Sequence, residues 1–312
     1  MIALDYLEKS MIEVSIPATT ANLGCGFDVL GMALDLFYTV RVQPIKENKY
    51  IIRNRGEGES CLPEDDRNLF FKTVKKITKM KNFPEQGLEV EAFNQIPVCR
   101  GLGSSAACIS AAVVTVNELN GRVLSIQDMV HFATQIEGHP DNVIPAMVGG
   151  LTIAMKNGEQ IHYQKFPFFD TIYLVACIPG YTLSTEEMRK ILPANYSRED
   201  VIFNLSRIAY LMGSICRQDR EGFFSALDDA IHQPFRGQKI PGFFEVRDYL
   251  HQKGKGEAVI SGSGSTILLM LREPITSSDE KKISELFAQK GTNNLVIKKV
   301  NWQKQGIRVK QT

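Results

Sequence analysis

Ile96-Pro97-Val98-Cys99-Arg100-Gly101-Leu102-Gly103-Ser104-Ser105-Ala106-Ala107 passes from a strand end through a loop of glycine and serine into a helix of small residues that the pattern carries to Asn120-Gly121. Gly101 and Gly103 allow backbone conformations that turn successive N–H groups inward, and the helix start adds unpaired donors at the positive end of its dipole. A polyphosphate can be cradled there without many lysines. Ser104 and Ser105 add hydroxyls for a phosphate or a magnesium ion, while Ala106 and Ala107 let the helix pack closely behind the loop.

Two further segments share this style. Pro17-Ala18-Thr19-Thr20-Ala21-Asn22-Leu23-Gly24-Cys25-Gly26-Phe27-Asp28 follows a first strand, and Ile260-Ser261-Gly262-Ser263-Gly264-Ser265-Thr266 lies between two apolar strands. Between them the pattern mixes short alternating strands with amphipathic helices, an α+β class. Ile12, Val14 and Ile16 alternate with Glu13 and Ser15, and Thr39–Val42 and Leu88–Ala92 do likewise, so the first part reads as antiparallel and β-rich. Ser125 with Asp128 opens a helix ending at Gly138, Ser197 starts another that passes Leu211, and Ser277 with Glu280 forms a capping box for one that stops at Gly291. Gly149-Gly150 turns into a strand over Leu151–Met155, and Ile172–Ile178 forms the next, with a domain boundary expected between them.

The 312 residues suffice for two domains with a real core. Lysine plus arginine number 36 against 35 acidic residues, a net charge of +1, so no molecule-wide field would hold nucleic acid or an anionic membrane. Lys72, Lys75, Lys76, Lys79 and Lys81 make a local basic helix of the kind that is usually a solvated face. The fullest apolar run, Ala106–Val116, contains Ser110 and falls short of the roughly 20 residues a bilayer requires. Six cysteines without a C-x-x-C pair read as small buried hydrophobes in a reducing compartment. The first ten residues carry acids and no leader pattern, which predicts a cytoplasmic protein; they read as an extension or an upstream start and are assigned no function.

Several nucleotide sites are excluded. No G-x-x-x-x-G-K-[ST] occurs, Gly254-Lys255 being followed by Gly256; neither H-R-D nor D-F-G is present; and Gly24-x-Gly26 lacks the third glycine of a dinucleotide fingerprint. The three glycine-rich segments instead resemble, in order and spacing, the three motifs of the GHMP small-molecule kinases, and the resemblance spans almost the whole chain. Within that superfamily the wording is most similar to the homoserine kinase family at Asn22–Asp28, at Glu137-Gly138-His139-Pro140-Asp141-Asn142 and from Thr185 to Pro193. Cys99 departs from it, standing where Gly, Ala or Ser is more usual.

The resemblance implies the GHMP kinase fold: a ribosomal-protein-S5-domain-2-like, ATP-binding domain over 11–165 and a ferredoxin-like α+β domain over 166–312. It implies transfer of the ATP γ-phosphoryl group to the hydroxyl of L-homoserine in threonine biosynthesis, with magnesium, and a possible homodimer. Pro97 to Ala107 with Ser261, Gly262 and Ser263 would hold ATP, and Ser105 and Glu137 would hold the metal. Asn22, Asp28, His139, Asn142, Thr185, Arg189 and Arg236 resemble the family's substrate residues. The two arginines suit a carboxylate and Asp28 an ammonium or hydroxyl. Glu137, Ser105, His139 and Arg189 would form the catalytic group; Thr19 and Thr20 stand where other members often place a lysine, and either His139 or Asp141, or no base, serves proton transfer. The alternatives are a GHMP kinase acting on a sugar or mevalonate-like alcohol, and a non-catalytic sensor of the same fold.

Overall fold

The computed structural model describes residues 11–311, so the expectation for residues 1–10 lies outside the described residues. In chain order the elements are β1 Ile12–Asn22, β2 Gly26–Ile45, β3 Tyr50–Gly56, α1 Leu69–Lys81, β4 Gly87–Asn94, α2 Ser104–Leu119, α3 Ile126–Glu137, α4 Pro140–Val148, β5 Leu151–Asn157 and β6 Gln160–Phe166. There follow β7 Tyr173–Pro179, α5 Thr185–Lys190, α6 Arg198–Arg217, α7 Arg220–Ser225, α8 Gln233–Arg236, α9 Phe243–Gln252, β8 Gly256–Ile260, β9 Ile267–Leu271, α10 Ser277–Gln289, β10 Leu295–Val300 and β11 Arg308–Gln311.

Two sheets organise these elements. The first runs β11-β1-β2-β4-β3, with β5 paired to β2 and β6 to β5. Its strands alternate as the pattern predicts, but β3 and β4 pair parallel, a departure from the all-antiparallel expectation that follows from α1 lying in the connection between them. Pro17–Asn22 also departs from the reading as a loop. β1 continues through it, with register shifts after Pro17 and Ala21, and only Leu23–Cys25 turns the chain into β2.

The second sheet, β10-β7-β9-β8, is antiparallel throughout. Both of its faces are covered, and so β9 is an unbroken apolar run, Ile267–Leu271. Ile267, Leu269 and Leu271 meet Phe243, Val246 and Leu250 of α9 and Ile283 and Phe287 of α10, while Leu268 and Met270 join the core beneath the first sheet.

Helix starts follow side-chain caps. Ser125 and Asp128 form the expected reciprocal box, and Ser197 caps α6. The box at α10 is Thr276 with Asp279, one residue earlier than Ser277 with Glu280, because Thr276 takes the extended conformation a cap needs. Only Cys25 and Cys177 are buried; Cys61, Cys99 and Cys216 are exposed, which corrects the reading of the cysteines as mostly core, and all six are free thiols. Among the described residues no helix is long and apolar enough to cross a membrane.

The close approach of α4 to β2 sets the site. A Cβ at Gly31 would lie 1.7 Å from the Asp141 carbonyl oxygen, so only glycine lets α4 settle there. Gly31→Ala is therefore expected to cost about 1–3 kcal/mol by overpacking, read as a lowered urea midpoint; an unchanged midpoint would show that α4 can yield.

Candidate active site

The loop between β4 and α2 is held by both sheets. Asn94 Oδ1 accepts from Ile96 N–H at 2.9 Å and ends β4. Thr19 N–H of β1 donates to Leu102 O at 3.1 Å, Thr266 N–H donates to Arg100 O at 3.1 Å, and Ser261 Oγ donates to Gly101 O at 2.6 Å. Gly103 is the N-cap of α2 at φ 69°, where a Cβ would meet Thr19 Oγ1 at 1.9 Å. No side chain caps α2, leaving its first-turn N–H groups available to an anion.

Gly138 ends α3 in the left-handed region and His139 begins α4, so Glu137, His139 and Asp141 are delivered within five residues. Ser105 Oγ donates to Glu137 Oε2 at 2.7 Å. Burial pushes the Glu137 carboxyl up, against the Ser105 hydrogen bond and the nearby His139. No lysine or arginine pairs with it among the described residues, so this half-buried carboxylate with its serine hydroxyl suits a hard cation. His139 Nδ1 lies 2.6 Å from Asp141 Oδ1. Burial opposes protonation of His139, but the Asp141 hydrogen bond and charge, with Glu137 beyond, raise it overall. Asn142 Oδ1 accepts from Thr19 Oγ1 at 2.8 Å, tying α4 to β1.

Asp28, at φ 56° in β2, is positioned by Asn22, whose Oδ1 accepts its N–H at 3.0 Å while Nδ2 donates to Gly262 O at 2.7 Å. Arg189 forks onto Asp28, with Nη1 and Nη2 donating at 2.9 and 2.7 Å. Arg236 is 2% exposed and donates only to the carbonyls of Met188 and Gly262; no carboxylate pairs with it among the described residues. Burial and the adjacent Arg189 bring its pKa down to about 10. Buried Asp229 accepts from the N–H groups of Ile231, His232 and Gln233 and so fixes the start of α8. His232 stacks on Phe27, whose ring lies 5.1 Å from the Arg236 guanidinium.

Asp28, Glu137, His139, Asp141, Arg189 and Arg236 face one cavity of about 360 Å³, while Thr19, Phe27, Asp229 and His232 support it from outside its lining. All seven residues expected for the acceptor, together with Ser105 and Glu137, line it, as do Val98, Cys99, Arg100, Gly101, Gly103, Ser104, Gly262 and Ser263. Pro97, Leu102, Ala106, Ala107 and Ser261 do not; they are buried behind the loop and shape it from below. The remaining wall, with Tyr38, Leu62, Pro63, Asn68, Leu69 and Cys108, is one the motifs did not point to. Its one sequence signal is Asn68, which caps α1 and donates to Pro63 O at 2.7 Å, holding the Leu62–Pro63 wall in place.

A glycine-rich loop leading into an uncapped helix, a serine–carboxylate pair and a charged cavity on two α+β layers are the parts of a small-molecule phosphotransferase of the GHMP class, and residues 68–150 match the GHMP kinases N terminal domain. The chain is 39% identical over 259 residues to homoserine kinase of Moorella thermoacetica, spanning 83% of this chain and 87% of that one. It is 36% identical over 298 residues to homoserine kinase of Clostridium beijerinckii, 95% of each. The solved homoserine kinase of Cytophaga hutchinsonii superposes with a TM-score of 0.81 at 27% identity, covering 96% of this chain and 97% of that one. A solved mevalonate kinase at 14% identity and a TM-score of 0.67 shares the fold, over 94% of this chain and 99% of that one. The chain belongs to the homoserine kinase family.

The raised pKa of His139 has a thermodynamic consequence. The folded chain binds this proton more tightly than the unfolded chain, so the associated stability is fully present below the ordinary value of 6.5 and is lost as pH rises through the folded value. His139→Gln is expected to flatten the fall of unfolding free energy between about pH 6 and pH 8, measured by urea titration; a slope equal to that of the parent protein would refute the assignment.

Proposed function

We propose that the protein phosphorylates the side-chain hydroxyl of L-homoserine with ATP and magnesium, forming O-phospho-L-homoserine for threonine biosynthesis in the cytoplasm. The observation that carries this reading is Arg236: a guanidinium 2% exposed, facing the cavity, without a carboxylate of its own. Such a group is satisfied by an anionic ligand. Arg189 and Asp28 lie beside it as a bidentate pair, and a zwitterion can replace that pair with two new ones, its carboxylate on the arginines and its ammonium on Asp28. A sugar or a plain alcohol cannot. The reading assigns residues 11–165 to the nucleotide-binding domain and 166–312 to the domain that carries Arg189 and Arg236.

The loop 97–107 and the open start of α2 would receive the phosphates, with Ser261, Gly262 and Ser263 closing from the second layer. The Tyr38, Leu62 and Pro63 wall offers apolar surface to the base. Ser105 and Glu137 would hold magnesium, which when bound neutralises charge on the transferring group. Asp141 keeps the His139 proton on Nδ1, so that Nε2 can accept a hydrogen bond or a proton from the substrate hydroxyl. Positioning and charge stabilisation then supply most of the rate, as phosphoryl transfer demands.

ADP release should follow homoserine addition and not addition of sugars or mevalonate-like alcohols; release with another alcohol alone would overturn the substrate, and release with none would favour a sensor. Arg236→Met is expected to raise KM for homoserine about 10- to 100-fold, equivalent to roughly 1.5–3 kcal/mol, with KM for ATP within about twofold. Glu137→Gln should raise the magnesium concentration for half-maximal rate at least about tenfold. Near-normal turnover in His139→Leu would exclude His139 as an essential base.

A further inference from the structure

Two guanidiniums reach the acceptor end of the cavity, and one side chain outside its lining stands against both. The Phe27 ring centroid lies 5.1 Å from the Arg236 guanidinium and 6.0 Å from that of Arg189. A ring face attracts a cation over such distances, and most strongly where water is excluded, as it is around the 2% exposed Arg236. Phe27, at the start of β2, precedes Asp28, whose carboxylate takes the Arg189 fork. In a regular strand neighbouring side chains point to opposite faces. The φ of 56° at Asp28 departs from that alternation, and residues 27 and 28 both serve this pair of arginines.

The ring is itself held in place. His232 stacks on it with centroids 5.3 Å apart and planes 27° apart, and the imidazole Nε2 lies 3.0 Å from Gly24 O in the turn that leads into β2. Burial lowers the His232 pKa, so the imidazole is neutral and brings no further positive charge to the ring. Arg236 donates from Nε to Met188 O at 3.1 Å and from Nη1 to Gly262 O at 3.2 Å, which leaves Nη2 without a protein acceptor among the described residues. Both bonds act along N–H directions in the plane of the guanidinium, whereas a ring face acts across that plane. A planar fork meets a carboxylate well only when its plane is set. An aliphatic side chain at position 27 would fill the space but lack the negative face.

We propose that Phe27 is a positioning residue for the acceptor: its ring face steadies the Arg236 guanidinium, with Arg189 at its margin, so that both forks are set for one carboxylate before it arrives. Phe27 does not line the cavity, so it acts through the arginines and not by contact with a substrate. The assignment rests on homoserine as the acceptor.

Fluorinated phenylalanines introduced at position 27 drain negative charge from the ring face while nearly keeping its shape. Through the mono-, di- and trifluoro series KM for homoserine is expected to climb stepwise, to about 3- to 10-fold at the last member, the span of a cation–π contact, with kcat and KM for ATP within about twofold. Phe27→Leu should raise the same constant at least as far; where that variant fails to fold, the fluorinated series, which fills the site as phenylalanine does, still decides. A role in packing alone would move Phe27→Leu and leave the fluorinated series flat. No ADP release on adding homoserine to the parent protein would overturn the acceptor and this assignment with it. Release from the parent with a homoserine KM that is flat or falling across the series, or with KM for ATP rising in parallel, would overturn the role of Phe27 alone and leave the acceptor standing.

Discussion

The loop at 96–103 is stitched on one side to β1 by Thr19 and on the other to the β8–β9 turn by Thr266 and Ser261, and most of the molecule is arranged around that double attachment. Neither sheet alone would define the loop's path. Because each attachment uses backbone carbonyls of Arg100, Gly101 and Leu102, the peptide planes are oriented and their N–H groups are left for a ligand. A surface loop with free amides would be dynamic. Here the hydrogen bonds from the β8–β9 turn brace it, so its amides need little reorganisation to receive a ligand.

The same economy governs charge. A chain with net charge +1 concentrates positive potential at this cavity in backbone dipoles and two guanidiniums, with carboxylates beside them. Asp28 neutralises Arg189 directly, and Asp229 stabilises the segment bearing Arg236 by accepting three backbone N–H groups without contacting the guanidinium. Arg236 thus sits buried with the carbonyls of Met188 and Gly262 and the face of Phe27 as its contacts, and with nearby carboxylates that it does not pair with directly. The arrangement is costly to desolvate, and a ligand carboxylate offsets that cost.

Legibility in the sequence followed locality. Ser125, Ser197 and the 3.6-residue pattern betray their helices because capping and amphipathicity act within a turn or two. α4 is hard to see in the sequence, since prolines at 140 and 145 interrupt so short a helical pattern; Pro140 occupies the first helical position, where its missing N–H costs nothing. The turn of the first motif looked like a loop because its glycines stand out, yet the β1–β2 pairing extends almost to its tip. Motif wording brought Asn22, Asp28, Glu137, His139, Arg189 and Arg236 forward, and all face one cavity. It could not reveal the Leu62–Pro63 wall, whose residues carry no distinctive chemistry and meet the site only through tertiary packing. Nor could it separate lining from supporting residues within one motif: Leu102 and Ala106 are as regular there as Gly101 and Ser105, and burial alone divides them.

The closing strand adds a constraint of order in time. β11 pairs with β1 along Ile12–Ser15, and just before it Gln303 donates its N–H to Ala33 O and accepts from Gly150 N–H. The sheet that carries the first motif is thus completed by residues synthesised nearly three hundred positions later. During vectorial synthesis β1 must wait with the edge of Ile12–Ser15 unpaired until the residues of β11 have emerged. Completion of the first sheet is thereby tied to the far end of the chain.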